Sequence, residues 1–282
     1  MSVVLSLIAA LAYGVSDFLG GLASRGAPAR LVLTLSYPFG IVLMVVLLPV
    51  VGGQLDPATV AWGCVGGMAG ATGVVLLYAG LATGPMGVVA PLTAVSSAVV
   101  SVGVGVGLGE RPSTLAYFGV LLALGAVVLV SRGPGRDGAS SPVTVRAVLL
   151  ALLAGAGFGS YFCALHETPS TSGMWPLVIS RAAGAVLIVG SAARHRALPI
   201  RSMDGAAVRL AFAAGALDAA AHLAYLLAVR HGLLALVSVL VALYPAATVG
   251  LATVVLGERT GRAQRLGLVI AAGSVALIAR TG

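Results

Sequence analysis

The sequence predicts an all-α, polytopic membrane protein whose ten transmembrane helices form two inverted five-helix repeats. Three observations carry that prediction. Of 282 residues, 59% are hydrophobic, a further 39 are Gly, and only 9% are charged, against about 25% charged in an ordinary soluble domain. A water-soluble globule of this composition could not cover its surface. The apolar residues also fall in continuous blocks of about 20, the length that crosses a ~30 Å hydrocarbon core, and not in the alternating ten-residue strands of an outer-membrane barrel. Finally, the second half of the chain repeats the first.

Span 1 covers 2–22. It starts without a basic n-region and its apolar run continues to about Ala23, which fits a retained span and not a cleaved signal. Spans 2 and 3 cover 31–51 and 59–82; Trp62 sits where an interfacial anchor belongs, and Gly63 with Gly67 and Gly66 with Gly70 provide small residues for close helix contact. Span 4, 85–108, carries Pro91, Ser96 and Ser97, and span 5 covers 114–131. A polar stretch rich in Gly, Pro and Ser comes next and divides the chain into 1–132, a linker at 133–145, and 146–282. Gly133, Gly135 and Gly138 match the spacing of a dinucleotide fingerprint, but no strand precedes them, so the match is discarded. Spans 6 to 10 cover 146–166, 174–192, 206–229, 233–256 and 264–280.

The duplication is direct. Gly84 to Arg132 aligns without gaps on Gly232 to Arg280, pairing Ala98 with Ala246, Gly109-Glu110-Arg111 with Gly257-Glu258-Arg259, Gly119 with Gly267 and Gly125 with Gly273. At slightly different shifts Ser36 and Gly40 fall on Ser180 and Gly184, and Gly14 on Gly159. Because each half has five spans, the second enters the membrane in the opposite sense, an arrangement frequent in secondary transporters with a site near the midplane.

The paired halves, each with Gly-Glu-Arg closing its fourth span before a Gly-containing fifth, resemble the EamA-type branch of the drug/metabolite transporter superfamily. Pro245, thirteen residues before Glu258, has the family's usual placing. The first half departs from it, with Ser97 at that position and Pro91 six residues earlier. The resemblance implies a transporter. It does not choose a substrate, since relatives export amino acids, move sugars or nucleotide sugars, or expel drugs.

Ionisable groups at membrane depth cost about 2.5 to 3.5 kcal/mol on insertion scales, so each calls for a reason. Arg181 in span 7 and Asp218 with His222 in span 8 lie near mid-span, and the last two share a helix face. They fit either a substrate or proton site or a buried cluster that orients helices. Asp17 in span 1 is similar in type and helix to the acid that small multidrug relatives use for competing proton and drug binding; Phe162 holds the matching place in the second half. Tyr244 beside Pro245 in span 9, and Ser96 and Ser97 in span 4, suit a polar cavity at a broken helix, with Pro91 and Pro245 as the breaks, or else a kinked packing helix. Tyr13 is a cavity candidate, with Tyr78, Tyr161 and Tyr225 as further ones. Glu110 and Glu258, at span ends, are expected to cap the next helix or meet a loop arginine.

The net charge of +8 comes from 16 basic residues, all Arg, against 8 acidic. They stand singly between apolar blocks, which points to topology and lipid head groups and not to nucleic acid. Twelve occupy the odd-numbered loops, including Arg25, Arg30, Arg146 and Arg262, and Arg111, Arg230 and Arg280 lie elsewhere outside the spans. The positive-inside rule places the odd loops in the cytoplasm and both termini outside. Relatives are usually drawn the other way.

Cys64 and Cys163 lie within spans, so neither disulfide nor metal site is expected. No nucleotide motif and no catalytic set is present; Asp17 with Asp218 as a protease pair lacks any local protease motif. The expectation is a multi-pass protein of the cytoplasmic membrane, bacterial, without cofactor. Its partners would be a small-molecule substrate, protons and the lipid bilayer, with the chain a monomer or weak homodimer. The alternative is a non-transporting scaffold or lipid-binding protein.

Overall fold

The structure is a computed structural model that describes residues 1–27, 29–83, 86–131, 144–194, 203–257 and 260–280. Most of the 133–145 linker, Glu258, Arg259 and several loop arginines (Arg132, Arg136, Arg196 and Arg201) lie outside the described residues. The described residues form helices and no strand: α1 (Ser2–Gly26), α2 (Ala29–Val51), α3 (Pro57–Thr83), α4 (Met86–Gly107), α5 (Thr114–Ser131), α6 (Val145–His166), α7 (Trp175–Arg194), α8 (Gly205–Val229), α9 (Leu234–Val241), α10 (Tyr244–Leu256) and α11 (Arg262–Ala279). Eight segments are long and apolar enough to cross a membrane; Thr114–Val130 and Trp175–Ile188 are shorter apolar helices. Together these features describe a multi-pass membrane protein.

Each helix start that carries a side-chain cap has a reason in the sequence. Asp56 accepts from the Thr59 N–H at 2.9 Å and the Thr59 hydroxyl at 2.6 Å, Thr144 from the Ala147 N–H at 3.1 Å, and Asp204 from the Ala207 N–H at 2.6 Å. Each satisfies an orphan donor of the first turn. The two bonds hold the Asp56 carboxyl below its usual range.

Span 9 divides: α9 ends at Val241 and α10 begins at Tyr244, with Pro245 in its first turn. A proline ring is tolerated there because its missing N–H would be unsatisfied anyway. Pro91, expected as a second break, lies inside α4, which is continuous from Met86 to Gly107. That expectation is corrected. A span can run on through a proline where neighbouring protein satisfies the freed carbonyl.

Helices pair through small residues. α1 lies along α8, where Ser16 donates to the Ala214 carbonyl at 2.9 Å, and α3 lies along α6. α3 also packs on α7 and α2 on α8, α4 on α6 and α1 on α10, and α5 on α11. A Cβ on Gly67 would drive into the Ser180 carbonyl, and one on Gly14 would meet Ala247 and the Tyr244 carbonyl. Without a hydrophobic drive in lipid, such close backbone approach and inter-helix hydrogen bonds supply the association. Many leucines and valines face outward as well, Val186 at 73% exposure and Val269 at 70% among them, which suits hydrocarbon surroundings.

Two loop pairs close one end of the bundle. The Gln54 N–H donates to the Thr171 carbonyl at 2.9 Å, joining the α2–α3 and α6–α7 connections, and Arg230, at the end of α8, donates to Ser172 at 3.1 Å. Half-burial pushes the Arg230 guanidinium below its usual pKa.

Candidate functional site

The site begins with Arg181, which α7 carries into the protein interior at 3% exposure. A cation so placed needs a counter-charge, and α8 supplies it: Asp218 forms an ion pair with Arg181. One turn further along the same face, His222 brings its Nδ1 to 2.7 Å from the Asp218 carbonyl and 3.2 Å from Arg181 Nη2. A carbonyl only accepts and a guanidinium only donates, so Nδ1 makes one of these two hydrogen bonds at a time, according to its tautomer.

α2 closes the other side of the guanidinium. The Tyr37 ring lies under Arg181 at 4.6 Å from its centroid, a cation–π contact. Gly40, one turn on, makes the room: a Cβ there would stand 3.1 Å from Arg181 Nη1, and a Cβ on Gly184 would stand 2.7 Å from the Tyr37 hydroxyl. Sequence reading missed Tyr37. The signal was present, because the alignment of Ser36 with Ser180 and Gly40 with Gly184 puts Tyr37 opposite Arg181, so the two matched positions of the halves touch each other.

Aromatic rings from α1 and α6 complete the enclosure. Tyr13 and Tyr161 both pack edge-on to His222, at 5.1 and 5.4 Å between centroids; the buried Tyr13 hydroxyl has no hydrogen-bond partner among the described residues, and the Tyr161 hydroxyl faces Ser180. Tyr161 leads to Phe162, and Phe162 stacks at 4.3 Å on Tyr225, whose hydroxyl donates to the Phe162 carbonyl at 3.2 Å. Tyr225 is therefore a packing residue. The side chain of Tyr78 lies outside the described residues.

Asp17 lies one turn beyond Tyr13 on α1, exposed and without a hydrogen-bond or ion-pair partner among the described residues. Between Tyr13 and Asp17 the Gly14 carbonyl accepts from the Thr248 hydroxyl at 3.1 Å, so α1 links the arginine centre to the start of α10. Tyr244 is half-buried there, its carbonyl accepting from Thr248 at 3.3 Å. Ser96 and Ser97 do not join this group. The Ser96 hydroxyl donates to the Leu152 carbonyl at 2.9 Å, and the Ser97 carbonyl faces Gly159, both on α6. With α4 unbroken, these residues sit in the α4–α6 seam.

Glu110 does cap a helix, but not the next one. Its two carboxylate oxygens accept from the Leu234 and Ala235 N–H groups, 2.5 and 2.9 Å, at the start of α9 in the other half of the chain. Gly105 leaves space for the carboxylate. No His, Cys, Asp and Glu grouping that could hold a metal occurs among the described residues.

A helical bundle with a charged centre enclosed by its crossings defines the class, a multi-pass membrane protein with a buried polar site. The chain belongs to the EamA-like transporter family, whose model matches residues 1–132 and 145–280, and so to the drug/metabolite transporter superfamily. A solved structure described as "Crystal structure of protein" is similar in fold, with a TM-score of 0.81 at 19% identity over 99% of this chain and 98% of that one. No curated protein matches.

Proposed function

We propose that the protein is a secondary active transporter that exports a small polar or amphipathic metabolite across the cytoplasmic membrane by alternating access, with proton coupling at Asp17. The observation that carries this reading is the Arg181–Asp218 pair with His222, held among α1, α2, α6, α7 and α8. Family membership supports transport as the activity and disfavours an enzyme.

The helix pairings support ten crossings arranged as inverted repeats. Exchanging the halves turns α1 on α8 into α6 on α3, turns α2 on α8 into α7 on α3, and returns α5 on α11 to itself. In such an arrangement the centre lies between the halves, where access can alternate. A ligand or proton shifts that equilibrium only by preferring one state, and the Asp17 carboxylate, unpartnered among the described residues, is suited to such a preference. The decisive experiment is substrate-dependent flux in proteoliposomes under an imposed pH gradient. Ligand binding without any flux would favour a non-transporting scaffold or lipid-binding protein.

A further inference from the structure

We propose that the group recognised at this centre is a carboxylate or similar planar oxyanion on a small, otherwise apolar molecule, received by the Arg181 guanidinium together with the hydroxyls of Tyr13 and Tyr161. In this view Asp218 is an internal anion that holds the same place until substrate displaces it. The inference rests on the transport reading above and specifies the substrate class of that site.

Four observations support it. The Tyr13 hydroxyl is buried and unpartnered among the described residues, and the buried Tyr161 hydroxyl has only Ser180 beside it. Buried hydroxyls are normally bonded, so the orphan on this site calls for a ligand atom. Both rings meet the same imidazole edge-on, at 5.1 and 5.4 Å, and that imidazole stands 3.2 Å from Arg181. The guanidinium is a planar fork suited to a planar oxyanion, and stacking on Tyr37 with Gly40 behind it fixes its plane. Finally, the ion pair is unequal: the Arg181 side chain is 4% exposed and that of Asp218 30%. The arginine is the more enclosed partner, so a competing anion would reach the pair from the aspartate's side. The aromatic wall of Tyr161 and Phe162 suits an apolar body.

The test uses the purified full-length chain in detergent, with benzoate and 4-methylpentanoate compared with benzamide, 4-methylpentanamide and benzylamine by thermal unfolding. The carboxylates are expected to stabilise saturably and the amides and the amine not. The double variant Tyr13→Phe with Tyr161→Phe removes one unpartnered hydroxyl and one beside Ser180, so it should stay folded while requiring about tenfold or more carboxylate for equal stabilisation. Lack of stabilisation by either carboxylate, equal stabilisation by the amides or the amine, or wild-type carboxylate affinity in the double variant would overturn the proposal. Counterflow in proteoliposomes is read separately. Carboxylate binding without counterflow would sink the transport reading alone, and counterflow of an amide or amine would sink this proposal alone.

Discussion

Arg181 and Asp218 illustrate how a buried charge constrains its neighbours. Removing one partner strands the other, so Arg181→Leu or Asp218→Leu alone is expected to destabilise by about 3 to 5 kcal/mol, whereas the double change should be close to neutral because apolar groups often replace a buried pair without loss. Unfolding in detergent measures the three variants. If the pair binds substrate, the double variant folds yet loses flux; full flux would reduce the pair to architecture. Asp17 gives the opposite pattern. With no partner among the described residues to lose, Asp17→Asn should leave the melting temperature unchanged while abolishing transport driven by a pH gradient, and unchanged uptake would end its coupling role. The charged members of the site were legible in the sequence because ionisable residues are conspicuous in an apolar chain. Tyr37 was not, since a tyrosine in a helix carries no such cost, and only the match between halves singles it out. Ser96 and Ser97 were misplaced for a related reason: hydroxyls in a span bond a neighbouring backbone as readily as they line a cavity, and spacing does not distinguish the two.

Helix ends and helix seams carry their own expectations. The Asp56 cap has a carboxyl whose folded pKa lies below its unfolded value, because the Thr59 N–H and hydroxyl favour the anion. Its contribution is therefore fully present above the unfolded pKa and is lost as pH falls through the lower, folded one. The melting difference between wild type and Asp56→Ala should shrink on acidification from neutral pH to pH 3; a constant difference would contradict this account of the cap. Among the seams, Gly67→Ala forces a methyl into the Ser180 carbonyl of α7 and should cost about 1 to 3 kcal/mol as overpacking. Gly103→Ala meets open space and should be neutral or stabilising by up to about 1 kcal/mol, since Ala is the better helix former. Equal melting temperatures for the two variants would refute the difference in packing. Span limits were readable to within a few residues because hydropathy changes sharply where a helix leaves the membrane. The continuity of α4 through Pro91 was not, because hydropathy alone does not tell a helix that breaks at a proline from one that runs through it. Nor was the target of Glu110 readable: α9 lies over a hundred residues further along the chain, and only the folded arrangement brings its N–H groups to the carboxylate.

For the molecule as a whole, the arginine distribution makes a topological prediction. A cysteine introduced at Ser2 should react with a membrane-impermeant maleimide applied from outside intact cells, with the wild-type protein reporting any labelling of Cys64 or Cys163. Labelling only after the cytoplasmic face is opened would reverse the orientation. The repeat itself was legible because Gly-Glu-Arg and its flanking glycines survive in both halves, while the centre depends on where the halves have diverged, Tyr37 facing Arg181 and Asp17 matched by Phe162. The ion pair has a further, electrical consequence. A lone charge carried through the membrane field does work of about 2.3 kcal/mol per 100 mV. Arg181 and Asp218 held together carry no net charge, so a rearrangement that moves them as a unit is indifferent to the membrane voltage, and only a step that parts them, or brings in a charged substrate, can be sensed as current.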